Sequence, residues 1–581
     1  MILVAPERIA EYTRAGWWGT LTLWDLFRRK VAEHPEREAV VDAPNRGEFA
    51  HGQPQRWTWA QLAREVDRLG LVLAEHGIGR DAIVVTMLPN GVEQFALYLA
   101  CLRVGAVLTP VPVQYREHEL DHVLQLTRAG VAFSFTRIGR PGHAHAAAAM
   151  FADLRAHHPS LSHLFAWGDG TVEGVLPLPQ APAGEASPQQ LERLARAERE
   201  AAITANDVVT ICWTSGTEAA PKGVPRSHNE WLIVPPIIIE AGQIPAGARL
   251  LNPFPLVNMS GFSAAFATWL VLGATVVQHH PFTLPVFLQQ LREERIDYTV
   301  SPPAVLNMLL QDERLLEGID FKRLSRIGSG SAPLADWMVR GYAERYGVQI
   351  INYFGSNEGA ALAGSDIDIA DPALRAAFFP RAGVDGYQWR ISISRKIRTR
   401  LVDLDSGEDI REPGRPGELR FRGPTVFSGY YRAPEMTQRA FDDQGYYCTG
   451  DLFEIAGDRQ QFYRYVGRFK DLVIRGGMNI SSEEVENLLT ACPLVREAAV
   501  VGVPDPVMGE KLCACVVPAE GPAPTLQALC DYLRHQQQVA VFKLPEYLML
   551  IDALPRNPVG KILKRDLRLQ ARALAPGERC A

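Results

Sequence analysis

The segment Thr214-Ser215-Gly216-Thr217-Glu218-Ala219-Ala220-Pro221-Lys222-Gly223 gathers hydroxyls, flexible backbone and one cation directly behind the apolar run Val208-Val209-Thr210-Ile211-Cys212. A buried strand that ends in such a loop puts backbone N–H groups, Thr214, Ser215, Thr217 and Lys222 around one point, which suits the phosphates of a nucleotide. It is not a Walker loop, because no Gly-Lys-Ser/Thr follows the glycines, and loops of this make-up also serve as plain surface turns. Three later segments bear on the choice. Asn352-Tyr353-Phe354-Gly355-Ser356-Asn357-Glu358-Gly359 follows the strand-like Val348–Ile351. Tyr447-Cys448-Thr449-Gly450-Asp451 leads on to the stretch from Gly467 to Gly477, and Pro555-Arg556-Asn557-Pro558-Val559-Gly560-Lys561-Ile562 lies near the end.

In this order and at these intervals, the four segments resemble the core motifs of the adenylate-forming superfamily. That superfamily comprises acyl- and aryl-CoA synthetases, nonribosomal adenylation domains and firefly-type luciferases. The resemblance runs from about Thr22 to about Leu567. It implies that a carboxylate attacks the α-phosphorus of ATP and expels pyrophosphate, a displacement in which positioning and electrostatics dominate. It also implies roles. Thr214, Ser215, Gly216, Thr217 and Lys222 would hold the β- and γ-phosphates, and Glu358 would hold Mg2+. Phe354 would stack on adenine, with Gly330, Ser331 and Ala332 lining its other side, and Asn357 would touch the α-phosphate. Asp451 would accept the ribose hydroxyls, since a carboxylate can take two at once, with Arg468 beside it. Lys561 would bridge the substrate carboxylate and the α-phosphate as the main catalytic residue. Lys470 would be the hinge of a small domain that rotates between half-reactions, and Gly476 and Gly477 would then leave room for the pantetheine arm of coenzyme A.

The chain departs from the family pattern in three places. Glu218-Ala219 stands where Thr-Gly is usual, so a carboxylate faces outward or approaches the triphosphate through magnesium. Asn357 stands where threonine is common, and Asn258 where many CoA ligases carry histidine. Gly328-Ser329-Gly330 also begins a near match to a dinucleotide fingerprint, but Pro333 occupies the third glycine position, which removes that reading. The acid pocket is expected from Asn258, Met259, Ser260, Gly261, Phe262 and Tyr353, with the Gly328–Ser329 strand end. An apolar surface with one amide fits a small aromatic, alicyclic or medium-chain acid. The C-terminal third, with Phe427-Ser428-Gly429-Tyr430-Tyr431, is similar to dihydroxybenzoate-type ligases that load a carrier protein. The acceptor is therefore expected to be coenzyme A, with a carrier protein as the alternative. A degenerate nucleotide-binding protein is the other alternative.

The elements that must position these residues follow from periodicity. Leu21–His34 and Val92–Val104 have helical spacing, while Ala39–Val41 and Ile83–Met87 read as buried strands. Such alternation predicts a large α/β N-terminal domain of layered sheets. The pattern changes after Arg468 to short strands and two helices, Ser482–Ala491 and Leu526–His535, a small mobile α+β domain. The expected division is 1–468 and 469–581. The stretch 142–203 reads as surface helices and a loop. At 581 residues the chain is too long for one core, and its 47% hydrophobic and 22% charged content is ordinary for a globular protein. A net charge of −6 gives no reason to expect nucleic acid or an anionic membrane as partner. Eight scattered cysteines suggest reduced thiols in a cytoplasmic protein. No membrane span is expected, and monomer and homodimer both remain open.

Overall fold

The computed structural model describes residues 1–139, 144–179, 185–214, 221–384, 386–475, 478–505, 507–537, 539, 541–557 and 560–572, with backbone only at Lys470, Met478 and Asn479. Two large sheets form the α/β body. In one, Leu176–Leu178, His163–Trp167, Val131–Phe135, Ile83–Met87, Val107–Pro110, Val208–Trp213 and Gly223–Ser227 lie in that spatial order. All neighbours are parallel except the last pair. The second sheet has eight strands, and its C-terminal edge runs Arg326–Gly330, Gln349–Gly355, Ala361–Gly364. Helices cover these sheets because their apolar faces must be buried. Val92–Val104 is buried nearly all round, as a helix between two layers must be. A five-stranded sheet follows, built of Phe378–Pro380, Phe462–Arg468, Tyr447–Ala456, Gly417–Arg422 and Arg398–Val402, antiparallel throughout. The α/β class and the large-plus-small domain plan are as expected. Two apolar clusters made only of residues from Val473 onward form the core of the small domain.

Local signals explain most element ends. Thr22 and Asp25 make a reciprocal capping box at the start of Leu23–Glu33, and Gly105 takes the left-handed conformation that ends Val92–Val104. One expectation needs correction. The stretch 142–203 holds two strands, His163–Trp167 and Leu176–Leu178, besides its helices. The apolar run from Gly261 is a buried helix leading to the strand Thr275–Gln278, and it contains a π-helical segment, Phe262–Ala267, which periodicity alone cannot reveal. Six cysteines are free among the described residues. Among the described residues, no helix is long and apolar enough to cross a membrane.

Candidate active site

The fully buried strand Val208–Trp213 delivers the hydroxyl-rich loop, and Gly223–Ser227 returns antiparallel with Trp213 opposite Gly223. Thr214 and Lys222 close the neck. Thr214 N–H donates to the Lys222 carbonyl at 3.0 Å, and Lys222 N–H donates to the Thr214 hydroxyl oxygen at 3.1 Å. The Lys222 ammonium lies 4.8 Å from the Tyr430 ring centroid, a cation–π contact that keeps the side chain at the loop. Ser215, Gly216, Thr217 and Glu218 lie outside the described residues.

Opposite, the strand Gln349–Gly355 ends in the turn carrying Asn357 and Glu358. The Asn357 amide donates to the Trp213 carbonyl at 3.1 Å and accepts from Met259 N–H at 2.8 Å. One side chain thus ties the phosphate-loop strand to the helix start at the acid pocket. Glu358 is 8% exposed. Its Oε1 accepts from the Tyr430 hydroxyl at 2.9 Å, and among the described residues its second oxygen has no partner. Gly359 has φ +101°, and a Cβ there would run into the Thr425 carbonyl, so only glycine fits.

Arg226 holds this turn in place. It is fully buried on the returning strand and donates to the carbonyls of Asn357 at 3.1 Å, Glu230 at 2.7 Å and Thr425 at 2.8 Å. Burial lowers its pKa, and the nearby Glu230 pulls the other way. Sequence reading passed over both Arg226 and Tyr430. The available signal was an arginine inside a strand whose neighbours are all apolar or small, which marks a buried charge needing several acceptors.

The nucleotide end is more mixed. Phe354 packs among rings, with centroids 5.0 Å from Phe453, 6.1 Å from Tyr465, 6.2 Å from Phe379 and 6.4 Å from Phe421. Gly330 lies tight against the Tyr353 carbonyl, and Ser331 follows at φ 70° on an exposed turn with Ala332. Asp451 is 2% exposed, and burial raises its pKa against the pull of Arg468 and then Lys561, with Glu358 adding a smaller upward push. Arg468 donates to Asp451 Oδ1 at 2.9 Å, and that carboxylate drives the arginine's pKa up. Lys561 sits in a tight turn where Asn557 N–H donates to its carbonyl and its own N–H donates to Asn557 Oδ1, both at 2.8 Å. Buried Tyr447 lies between, within electrostatic reach of both Glu358 and Asp451. The structure therefore brings Thr214, Lys222, Met259, Asn357, Glu358, Asp451, Arg468 and Lys561 to one region. Gly476, Gly477 and the Lys470 side chain lie outside the described residues.

At the acid pocket two residues expected to face substrate also serve the backbone. The Asn258 side chain caps the helix start by accepting from Gly261 N–H at 3.1 Å. Gly261 is a glycine because a Cβ would strike the Pro255 carbonyl. Met259 packs half-buried beside them. Tyr353 shares a 3.0 Å hydrogen bond with Tyr298, a residue sequence reading missed. A Cβ at Gly328 would lie 2.5 Å from the Tyr298 hydroxyl and 2.7 Å from Tyr353 Cε2, so the missing side chain makes room for these rings. Asn90 fastens the pocket loop, donating to the Phe254 carbonyl at 2.8 Å and accepting from Leu256 N–H at 3.3 Å.

The small domain meets the large one at Glu483. Its side chain is half-buried with Oε2 shut off from solvent, and its Oε1 accepts from the Tyr465 hydroxyl at 3.3 Å. Burial pushes its pKa from 4.5 up to about 7; Glu486 and Asp471 add to the rise, while Lys564 and the Tyr465 hydrogen bond oppose it.

A family model described as AMP-binding enzyme matches residues 27–431, and one described as AMP-binding enzyme C-terminal domain matches residues 484–561. The chain is 29% identical over 566 residues to a medium-chain fatty-acid–CoA ligase of Escherichia coli, covering 97% of this chain and 92% of the relative. It is 30% identical over 544 residues to an indoleacetate–CoA ligase of Aromatoleum aromaticum, covering 93% and 98%. The crystal structure of ATP-bound MatB from Rhodopseudomonas palustris superposes with a TM-score of 0.73 at 25% identity, covering 95% of this chain and 99% of that one.

Two outcomes follow from this geometry. Replacing Arg226 by methionine leaves three buried carbonyls without their donor, at about 1–3 kcal/mol each. Urea unfolding should therefore show a markedly lower midpoint for Arg226→Met and only a small shift for Tyr430→Phe. Desolvation at Glu483 favours the neutral acid, so the stability linked to it is fully present below pH 4.5 and is lost as pH rises through about 7. Amide hydrogen exchange at Phe462–Arg468 should accelerate between about pH 5 and about pH 8 beyond the intrinsic rate. Glu483→Gln should remove that excess.

Proposed function

The chain belongs to the AMP-binding enzyme family and activates a carboxylic acid with ATP as an acyl adenylate, and we propose that it then passes the acyl group to coenzyme A. The observation that supports an adenylating arrangement is the convergence of Glu358, Asp451 and Lys561. The buried Asp451 carboxyl feels both the Lys561 ammonium and the Glu358 carboxylate, although Lys561 comes from the far end of the chain.

The chemistry then falls to few side chains. A carboxylate oxygen of the acid forms a bond to the α-phosphorus as the bond to the β-phosphate bridge oxygen breaks, and pyrophosphate leaves. Lys561 holds the two anions together, lowering their repulsion and the entropic cost of alignment. Lys222 and the Thr214 hydroxyl receive the leaving phosphates. Asp451 has one oxygen on Arg468, which leaves the other for the ribose hydroxyls. Mg2+ fits the unpartnered oxygen of Glu358, because such sites use one or two carboxylates plus phosphate oxygens, and it would neutralise phosphate charge. Lys470 would serve as the hinge for the second half-reaction and Gly476–Gly477 as the pantetheine passage.

Among substrates, the tyrosine-filled end of the pocket favours a small aromatic or alicyclic acid over a long chain. The relatives named above act on fatty and aromatic acids at nearly equal identity, so likeness alone does not rank them. A cytoplasmic location, and a monomer or homodimer, fit this role.

Pyrophosphate release with Mg-ATP across aliphatic, alicyclic and aromatic acids tests the reading. Release accelerated by coenzyme A, with a thioester product, is expected. Slow release unaffected by coenzyme A would point to carrier-protein loading, and no release with any acid would support a degenerate binding protein. Lys561→Ala should cut adenylation by about 100-fold or more while sparing thioester formation from a supplied acyl adenylate. Loss of both half-reactions together would refute the two-orientation scheme.

A further inference from the structure

The five consecutive carbonyls of Gly423-Pro424-Thr425-Val426-Phe427 are all capped by side-chain donors, and most of these donors come from the first eighteen residues. Arg8 donates to Gly423 at 3.3 Å, to Phe427 at 3.0 Å and also to Val426. The Trp18 indole donates to Pro424 at 3.3 Å. Arg226 takes Thr425. The Gly423 carbonyl also accepts from Val426 N–H at 3.2 Å; the other four depend on the side-chain donors, and without them each would need water or would shift.

The loop matters because of what it carries. Phe427 N–H donates to the Glu358 carbonyl at 2.8 Å, and Tyr431 N–H donates to the Gly223 carbonyl at 2.9 Å. Three residues past Phe427, Tyr430 bonds the Glu358 carboxylate and faces Lys222. Any displacement of residues 423–427 therefore moves the carboxylate and the phosphate-loop cation together.

The N-terminal segment is otherwise lightly attached to this wall. Val4, Tyr12 and Trp18, with Ile9 and Trp17, form a small apolar cluster that touches the main core through Trp17. The helix Pro6–Arg14 thus meets the loop mainly through polar donors, a contact that sets position more than it buries area. The family model begins at residue 27, after both donors.

We propose that Arg8, with Trp18, is a positioning residue for Glu358: the N-terminal helix holds loop 423–427 so that the Glu358 carboxylate keeps its place at the metal–triphosphate site. This rests on the reading of Glu358 as the magnesium carboxylate. Removing a second layer of support around a ligand weakens metal affinity about 10- to 100-fold. Lysine cannot replace arginine here, since one ammonium lacks the planar fork that spans three carbonyls.

The test uses the full-length protein and the best acid from the substrate panel, with Mn2+ titration of the complex with a non-hydrolysable ATP analogue, read by electron paramagnetic resonance, as a second readout. Arg8→Ala should raise half-saturating Mg2+, and the Mn2+ dissociation constant, about tenfold, leave the KM for the acid unchanged and leave a cooperative unfolding transition. Trp18→Phe keeps the ring but removes the N–H, and should shift metal saturation in the same direction by less. Arg8→Lys should resemble Arg8→Ala. Unchanged metal saturation in Arg8→Ala, or a proportional fall in every parameter with folded fraction, would overturn the proposal. Glu358→Gln run alongside separates the two readings. If it leaves metal saturation unaltered, the assignment of Glu358 fails and the positioning role with it. If it alters saturation and Arg8→Ala does not, only the positioning role fails.

Discussion

A buried guanidinium with carbonyls as its direct acceptors is the constraint on which the site depends. Arg226 reaches the turn after the strand Gln349–Gly355, the loop before Tyr430 and the short helix beginning at His228. None of its three hydrogen-bond acceptors is a carboxylate, so the charge is solvated by peptide dipoles. That arrangement is tolerable only when all the acceptors are in place at once, since an incompletely satisfied buried cation costs far more than a neutral donor. The requirement runs both ways. The loops are held by the arginine, and the arginine is stable in its charged form only if the loops are held. Asn357, Glu358 and Tyr430 inherit their positions from that mutual condition.

A second layer of electrostatic balance lies at the other end of the site. Asp451 is deeply buried and would resist ionisation on its own, yet Arg468 and Lys561 favour the carboxylate. Arg468 comes from the strand that runs toward the hinge region, and Lys561 from a loop of the small domain. The charge state of the Asp451 carboxylate is thus tied to the position of Lys561. Glu483 adds an opposing tie, since its burial against Tyr465 favours a neutral acid. The arrangement combines an ion cluster at one place with a desolvated acid at another.

The sequence made much of this legible because motif residues are held by local chemistry. Thr214 and Lys222 close a loop whose flanking strand is uniformly apolar, and the turn at Asn557–Lys561 is written in its own Asn and Gly. The helix Val92–Val104 and the strand Ile83–Met87 follow directly from periodicity. What stayed hidden depends on contacts between distant segments. Arg226 bonds residues 131 and 199 positions away, and Arg8 bonds a loop more than four hundred positions away. No local pattern encodes such partners. The two strands in 142–203 were obscured by surrounding alanine and proline, and the π-helical stretch differs from an α-helix only in hydrogen-bond spacing. Asn258 and Gly261, expected as substrate contacts, also carry a structural duty that no local pattern displays. Residues at a helix start near a pocket must first satisfy the helix, and here the amide and the missing side chain are both spent on it.

Asn357 shows how a departure from a family pattern can be absorbed. A hydroxyl at that position offers one short donor, whereas the amide is longer and has donors and acceptors on separate atoms. In this chain the amide spans from the Trp213 carbonyl to the Met259 N–H. The first of these atoms ends the strand entering the phosphate loop, and the second begins the helix at the acid pocket. A side chain that fixes both fixes the distance between the two substrates' binding segments, which is the quantity that matters most for a reaction limited by alignment of two anions. In the function proposed above, the amide's second N–H would meet an α-phosphate oxygen while the residue still positions the two segments. The change from hydroxyl to amide therefore does not by itself argue for a degenerate site. It transfers part of the work of alignment from the ligand to the fold.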